Sequence, residues 1–300
     1  MKGIFSWGLA VIITLGAVYV QRSTGPSQPE KQRMEVNAAS FAVSFPRSLV
    51  RPANRDPETL LTVTFRSAVE DRNQILGAVL YYKRYPSDDP FKAVVPSFSV
   101  DKEKMFLNAE IPVQPSAGKI TYYVQLIGGD GTTVNSAETT LRFRDHVPGV
   151  ALILHILFVF FAFLFSNFTG IYAFARDVKI NPYALITIIM LFTGGFILGP
   201  LVQKYAFGVW WSGWPAGGDM TDNKTLIALL TWAAVYMLNR IPFASARFCR
   251  WRRFLYLAAA LVTMAVYSIP HSTAGSQYNY EKGTIVTGRD QTTEHDFGTE

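Results

Sequence analysis

Five long apolar runs divide the chain, at residues 4–20, 149–175, 183–202, 225–238 and 254–269, and none of them holds a Lys, Arg, Asp or Glu. An α-helix rises about 1.5 Å per residue, so roughly 20 apolar residues cross a hydrocarbon core of about 30 Å. The first run follows Lys2 and ends in Tyr19, Val20, Gln21 and Arg22 with no small-x-small cleavage site, so we expect a retained anchor over residues 1–22 and not a cleaved signal peptide. The second run is longer than a bilayer requires and should tilt or project beyond it. The third opens behind the helix-start pair Asn181-Pro182 and contains Gly194, Gly195, Gly199 and Pro200. Its small residues permit close helix packing, and Pro200 should end or kink the helix. The fourth run spans only if Asp222 acts as an N-cap and extends the helix to about Arg240. Pro270 closes the fifth.

Between the first and second runs the pattern changes to period two. Residues 59–66 (TLLTVTFR), 78–85 (AVLYYKRY), 105–113 (MFLNAEIPV), 119–127 (KITYYVQLI) and 139–144 (TTLRFR) alternate β-branched or aromatic residues with polar ones. Turn residues separate them at 86–90, 115–118 and 128–131. Short strands at this spacing over about 110 residues predict a seven-stranded antiparallel sandwich. The expected order is therefore an α + β membrane protein. Its parts are a transmembrane anchor (1–22), a flexible linker (23–33), an extracytoplasmic β-sandwich (34–147), a four-span transmembrane domain (148–270) and an extracytoplasmic tail (271–300).

The segment GKITYYVQLIGGDG, residues 118–131, sets a Tyr-Tyr pair on one strand and leads through a Gly-Asp-Gly turn to the next; the earlier AVLYYKR fits the same pattern. It resembles the late hairpin of fibronectin type III-like and immunoglobulin-like domains of bacterial envelope proteins. The resemblance covers about a third of the chain and implies a fold, with no ligand attached to it. The four-span portion is similar to uncharacterised polytopic bacterial membrane domains.

Charge alters this picture only in orientation. The formal net charge is +6, but Arg240, Arg247, Arg250, Arg252 and Arg253 lie in one short loop between apolar runs. That is a topology signal and not a nucleic-acid footprint. It places the loop in the cytoplasm, with the N-terminus on the same side. The β-domain, the 203–224 loop and the C-terminus then fall in the periplasm or outside the cell, in a bacterial inner membrane. The single cysteine, Cys249, lies in that loop, so the β-domain has no internal disulfide. A lipoprotein anchor is excluded by the lack of a cysteine near the N-terminus.

Phosphate-binding loops, dinucleotide fingerprints, nucleophile elbows, HExxH and CxxCH are all absent from the sequence. Three features remain as candidates for chemistry. Trp210, Trp211 and Trp214 crowd one outer loop and read as an interfacial aromatic belt or as a docking interface. Asp219 and Asp222 follow them and could face a cation or metal. His155 in the second run and His271 after the fifth are the histidines nearest the spans. As intramembrane ionisable residues they are candidate ligands for haem, a metal or quinone, against a plain reading in which His155 donates to a carbonyl or hydroxyl of a neighbouring helix. The acceptor-like triplets at Asn167 and Asn223 read as chance. The polar tail has no periodicity and should be disordered by itself; order there would require a partner or the β-domain.

The expected function is a non-enzymatic structural or accessory subunit of a cell-envelope or bioenergetic membrane complex, with the sandwich as docking module. Its partners would be the lipid bilayer and other membrane subunits, with no nucleic acid. The alternative is a membrane redox or cofactor-binding protein built on the two histidines. A transporter is disfavoured because the apolar runs carry no charge from which to build an ion path.

Overall fold

A computed structural model describes residues 2–25, 28–37, 39–52, 57–66, 74–101, 104–175, 179–241, 246–269 and 275–287. They fall into two compact units. One comprises Met1–Gly25, Val147–Ser276 and Thr287–Glu300; the other comprises Pro26–His146 and Gln277–Val286.

The second unit is built from eleven described strands and a C-terminal hairpin. In chain order the strands are β1 (Glu30–Val36), β2 (Ala39–Phe45), β3 (Ser48–Val50), β4 (Glu58–Arg66), β5 (Ile75–Tyr85), β6 (Lys92–Val94), β7 (Ser97–Asp101), β8 (Lys104–Pro112), β9 (Lys119–Gly128), β10 (Thr133–Asn135) and β11 (Thr139–Arg144). One sheet has the order β1-β2-β4-β8-β7, the other β3-β11-β9-β5-β6 with β10 folded back on β9. The period-two pattern dictates the core. Leu61, Val63 and Phe65 of β4 stand opposite Ala109, Leu107 and Met105 of β8, and all six are buried. Phe41 and Phe45 of β2 join them from the same sheet, and Leu80, Tyr122 and Phe143 close the core from the other. Each fully buried large side chain contributes roughly 1.5–3 kcal/mol of transfer free energy.

These sandwich-like sheets hold more strands than the seven expected, and one pair departs from the antiparallel rule. β3 runs parallel to β11, with Leu49 opposite Phe143. The chain leaves β2 at Phe45 and reaches the other sheet without a hairpin, so its direction there is set by the crossing. β1 begins at Glu30, inside the segment expected to be a linker.

The first unit is helical: α1 (Lys2–Thr24), α2 (Gly149–Tyr172), α3 (Asn181–Phe192), α4 (Gly199–Phe207), α5 (Met220–Arg240) and α6 (Ala246–Ser268). Among the described residues, three stretches are long and apolar enough to cross a membrane: Gly3–Thr24, Gly149–Tyr172 and Asn181–Phe207. The protein is thus a mixed α and β membrane protein. The last stretch continues past Pro200, which had been expected to end or kink it. A π-helical segment, Thr193–Leu198, absorbs the proline, which sits in the first turn of α4 where no N–H is needed. α5 and α6 have 21 and 23 residues and fold where the fourth and fifth runs predict helices.

α2 packs against α1, α3 and α6, and α5 against α3 and α6. Close approach depends on small residues. A Cβ at Gly170 would lie 2.6 Å from the Ala260 methyl, and one at Gly195 would collide with Thr225 Cγ2. Polar side chains tie helices together: the Asn167 amide donates to Thr14 at 3.0 Å and the buried Trp232 indole donates to Thr263 at 2.9 Å. Asn167 is buried, in keeping with the chance reading of its acceptor triplet.

Candidate functional site

The loop from Gly208 to Asp219 and the start of α5 form a buried polar cluster in the helical unit. Asp219 is the N-cap of α5: its Oδ1 accepts the Thr221 N–H at 2.8 Å. The expected cap, Asp222, lies instead in the first turn. There its Oδ2 accepts the Ser212 N–H at 2.7 Å and stands 3.1 Å from the Ser212 hydroxyl. The same hydroxyl is 3.1 Å from Asp219 Oδ2, which also accepts the Ser276 N–H at 3.2 Å. Gln203 donates to Ser212 from α4. Ser212, Asp219, Asp222 and Ser276 are all buried.

Helix ends explain why charge is tolerated here. α5 begins where α6 finishes, so the positive end of α5 meets both aspartates, while Lys224 donates to the Ile269 carbonyl just past the last residue of α6. The lysine thus sits at a negative helix end and the acids at a positive one. Bound hydroxyl and N–H donors replace the water lost by the carboxylates.

The tryptophans divide. Trp211 turns inward, stacking on Phe196 at 5.1 Å and donating to the Trp214 carbonyl at 3.2 Å. Trp210 and Trp214 are exposed, and the Trp214 N–H donates to Asn223 Oδ1 at 2.6 Å. Asn223 is therefore part of the loop's scaffold.

His155 follows the plain reading. Its Nδ1 lies 2.9 Å from the Gly194 carbonyl, in the π-helical segment; a carbonyl only accepts, so Nδ1 carries the proton. The ring rests against Gly199, where an added Cβ would lie 3.6 Å from its Cε1. His271 lies outside the described residues. Asp219 and Asp222 are brought together through Ser212. Among the described residues no group of three or more His, Cys, Asp or Glu is arranged to hold a metal ion. Sequence reasoning missed Ser212, Gln203, Lys224 and Ser276. Only Lys224 left a signal, as a charge immediately before the apolar run that starts at residue 225.

The β unit carries a second polar centre, around Lys119. The tail, expected to be disordered by itself, forms a hairpin of β12 (Gln277–Asn279) and β13 (Thr284–Val286) that belongs to this unit. The described hairpin is held by contacts with β9. Lys119 Nζ donates to Gln277 Oε1 at 2.8 Å, and the Tyr280 hydroxyl donates to the Lys119 carbonyl at 2.9 Å. The Tyr278 N–H donates to the carbonyl of Ala117 at 3.2 Å, a residue held at φ +63°. Arg84 lies over the Tyr280 ring at 5.2 Å. Burial, with Arg142 nearby, brings the Lys119 amine down to about 8, and burial raises the Tyr280 phenol to about 12.

Comparison with known proteins adds little. No protein-family model matches the chain, and no curated protein matches it. Among solved structures, a match covers 72% of this chain at 12% identity and a TM-score of 0.24. It is the structure of astrotactin-2, described as a conserved vertebrate-specific and perforin-like membrane protein involved in neuronal development. The chain spans 38% of that structure's length, and a likeness this low carries no argument.

Proposed function

We propose that the protein is a non-enzymatic structural or accessory subunit of a larger cell-envelope or bioenergetic membrane complex, with its β unit as the docking module. In this reading the β unit is an immunoglobulin-like or fibronectin type III-like sandwich. It lies on the periplasmic side of a bacterial inner membrane, anchored by α1 and by four further spans that include α5 and α6. The observation that carries the reading is how the candidate side chains are used. Asp219 caps α5 and holds Ser276, Asp222 anchors the loop at Ser212, and His155 binds the π-helical segment. Each serves the fold, and the exposed Trp210 and Trp214 suit a lipid interface or a neighbouring subunit.

One observation favours a second reading, a membrane cofactor-binding protein. A carbonyl on Nδ1 is the partner that orients a ligating imidazole and leaves Nε2 with its lone pair. Haem, a metal or quinone would then take His155 as one ligand. The test is the absorption spectrum of the full chain purified in mild detergent from its own membrane. The subunit reading expects a colourless protein. A Soret band that disappears in His155→Leu would overturn it in favour of the second reading.

A further inference from the structure

The two sheets of the β unit end in edge strands, and all but one of these edges are guarded. β3 and β6 are three residues long, as is β10 on β9, and β6 carries Lys92. β1 is longer but bears Lys31, Arg33 and Glu35, and its Gln32 reaches across to Ala137, accepting that residue's N–H at 2.9 Å. Short length, charge and cover are the devices by which sheets avoid edge pairing. β7, Ser97-Phe98-Ser99-Val100-Asp101, is less guarded: it is two residues longer than β3, β6 or β10 and carries one charge, at its end. It pairs with β8 without a bulge, and every one of its residues is exposed. Pro96 stands just outside it and Asp101 at its far end is its single charge.

The side chains make the edge more than an unprotected backbone. Phe98 and Val100 are the cross-strand partners of Leu107 and Met105, both buried, so they point to the core face of the sheet. Yet Phe98 is 40% exposed and Val100 58%. Among the described residues, the apolar inner face therefore continues past its covering sheet and ends partly exposed.

We propose that β7 pairs antiparallel with β7 of a second copy of this chain, about a two-fold axis through Ser99. The strand is self-complementary in that register. Phe98 falls opposite Val100 of the second copy, and Val100 opposite its Phe98, so the four uncovered apolar side chains meet on one face. Ser97 falls opposite Asp101 of the second copy, a hydroxyl donor against a carboxylate, and no like charges oppose one another. Either hydrogen-bonding phase of the strand satisfies this register, because the two-fold relates each outward group to its complement. Confinement of both copies to one bilayer raises their effective concentration, which a five-residue contact needs. This dimer stands apart from the subunit reading, since it concerns copies of this chain alone.

Disulfide trapping tests the register. Residues opposite each other in an antiparallel pair have Cα atoms about 4.5–5.5 Å apart, inside the range a disulfide spans. In membranes that hold the full-length Cys249→Ser protein, oxidised Ser99→Cys should run mostly as a covalent dimer. Ser97→Cys alone and Asp101→Cys alone should stay mostly monomeric, but a mixture of these two should cross-link. Adding Val100→Lys should reduce Ser99→Cys trapping at least several-fold, with circular dichroism confirming that the variant is folded. Failure of Ser99→Cys to cross-link in the membrane would overturn the proposal, as would equal trapping at all three positions, or β7 found paired with an extended segment of a different protein.

Discussion

Replacing Lys119 with Met should remove a pH dependence from the stability of the β unit. Lys119 titrates near 8 in the folded chain because burial disfavours its charged form. In the unfolded chain it titrates near 10.5. The folded pKa of a cation is thus depressed, and between those values the unfolded state binds more protons, so stability rises with pH. Below pH 8 the native state carries the whole penalty, about 3 kcal/mol from the 2.5-unit gap at 1.36 kcal/mol per unit. Between pH 7 and 9.5 the wild type should recover roughly 2 kcal/mol of this, less whatever water reaching the amine removes. The tyrosines set the upper limit. Tyr280 titrates at about 12 and Tyr122 is raised well above its usual value, each mainly through burial, so their contribution is intact below pH 10 and is lost above it as unfolded phenols ionise. The assay is urea unfolding followed by far-ultraviolet circular dichroism. It uses a fragment of residues 26–146 joined by a short Gly-Ser linker to residues 275–287, at half-unit steps from pH 7 to 9.5. Lys119→Met loses its bond to Gln277, so the slope against pH is the readout and not the absolute stability. Parallel slopes for wild type and variant would refute the reasoning.

That fragment should itself be soluble and rich in β-structure, and a helical spectrum would contradict the fold. Asp219→Ala removes the N-cap of α5 and a partner of Ser276, so it should lower the thermal midpoint of the full chain in detergent by the equivalent of about 1–2 kcal/mol. Asp219→Asn, which keeps a capping oxygen, should restore most of the loss, and no difference between the two would remove the capping role. A cysteine at Ser87 should react with a membrane-impermeant reagent in sealed cells while Cys249 stays protected, and labelling of Cys249 would reverse the proposed orientation.

Much of the β unit can be read in the sequence because its central strands alternate strictly. The five strands expected from period two agree with β4, β5, β8, β9 and β11 to within about three residues at each end. β1 and β7 escape the same reading for physical reasons. β1 carries Glu30, Lys31, Arg33 and Glu35 because it lies at an edge, and β7 is too short and too exposed to show a buried face. The N-cap of α5 was misplaced because Asp219 and Asp222 have capping-box spacing, in which either acid can start a helix when read alone. The Ser212 cluster has no motif: Gln203, Ser212 and Ser276 come from separate segments, and Ser276 lies 57 residues from the aspartate it meets. Gly194, Gly195 and Pro200 were read as a packing face and a stop or kink, whereas the chain continues through them as a π-helical segment whose Gly194 carbonyl meets His155.

The central claim, a membrane subunit that docks through its β unit, is tested most directly by mass analysis of what co-purifies in mild detergent. The full chain would be compared with a chain in which residues 28–145 are replaced by a flexible linker. A stoichiometric partner present with the full chain and lost from the deleted one is the predicted result, with both chains still in the membrane fraction. A full chain isolated without any other subunit, or one whose partner remains after the deletion, would contradict the account.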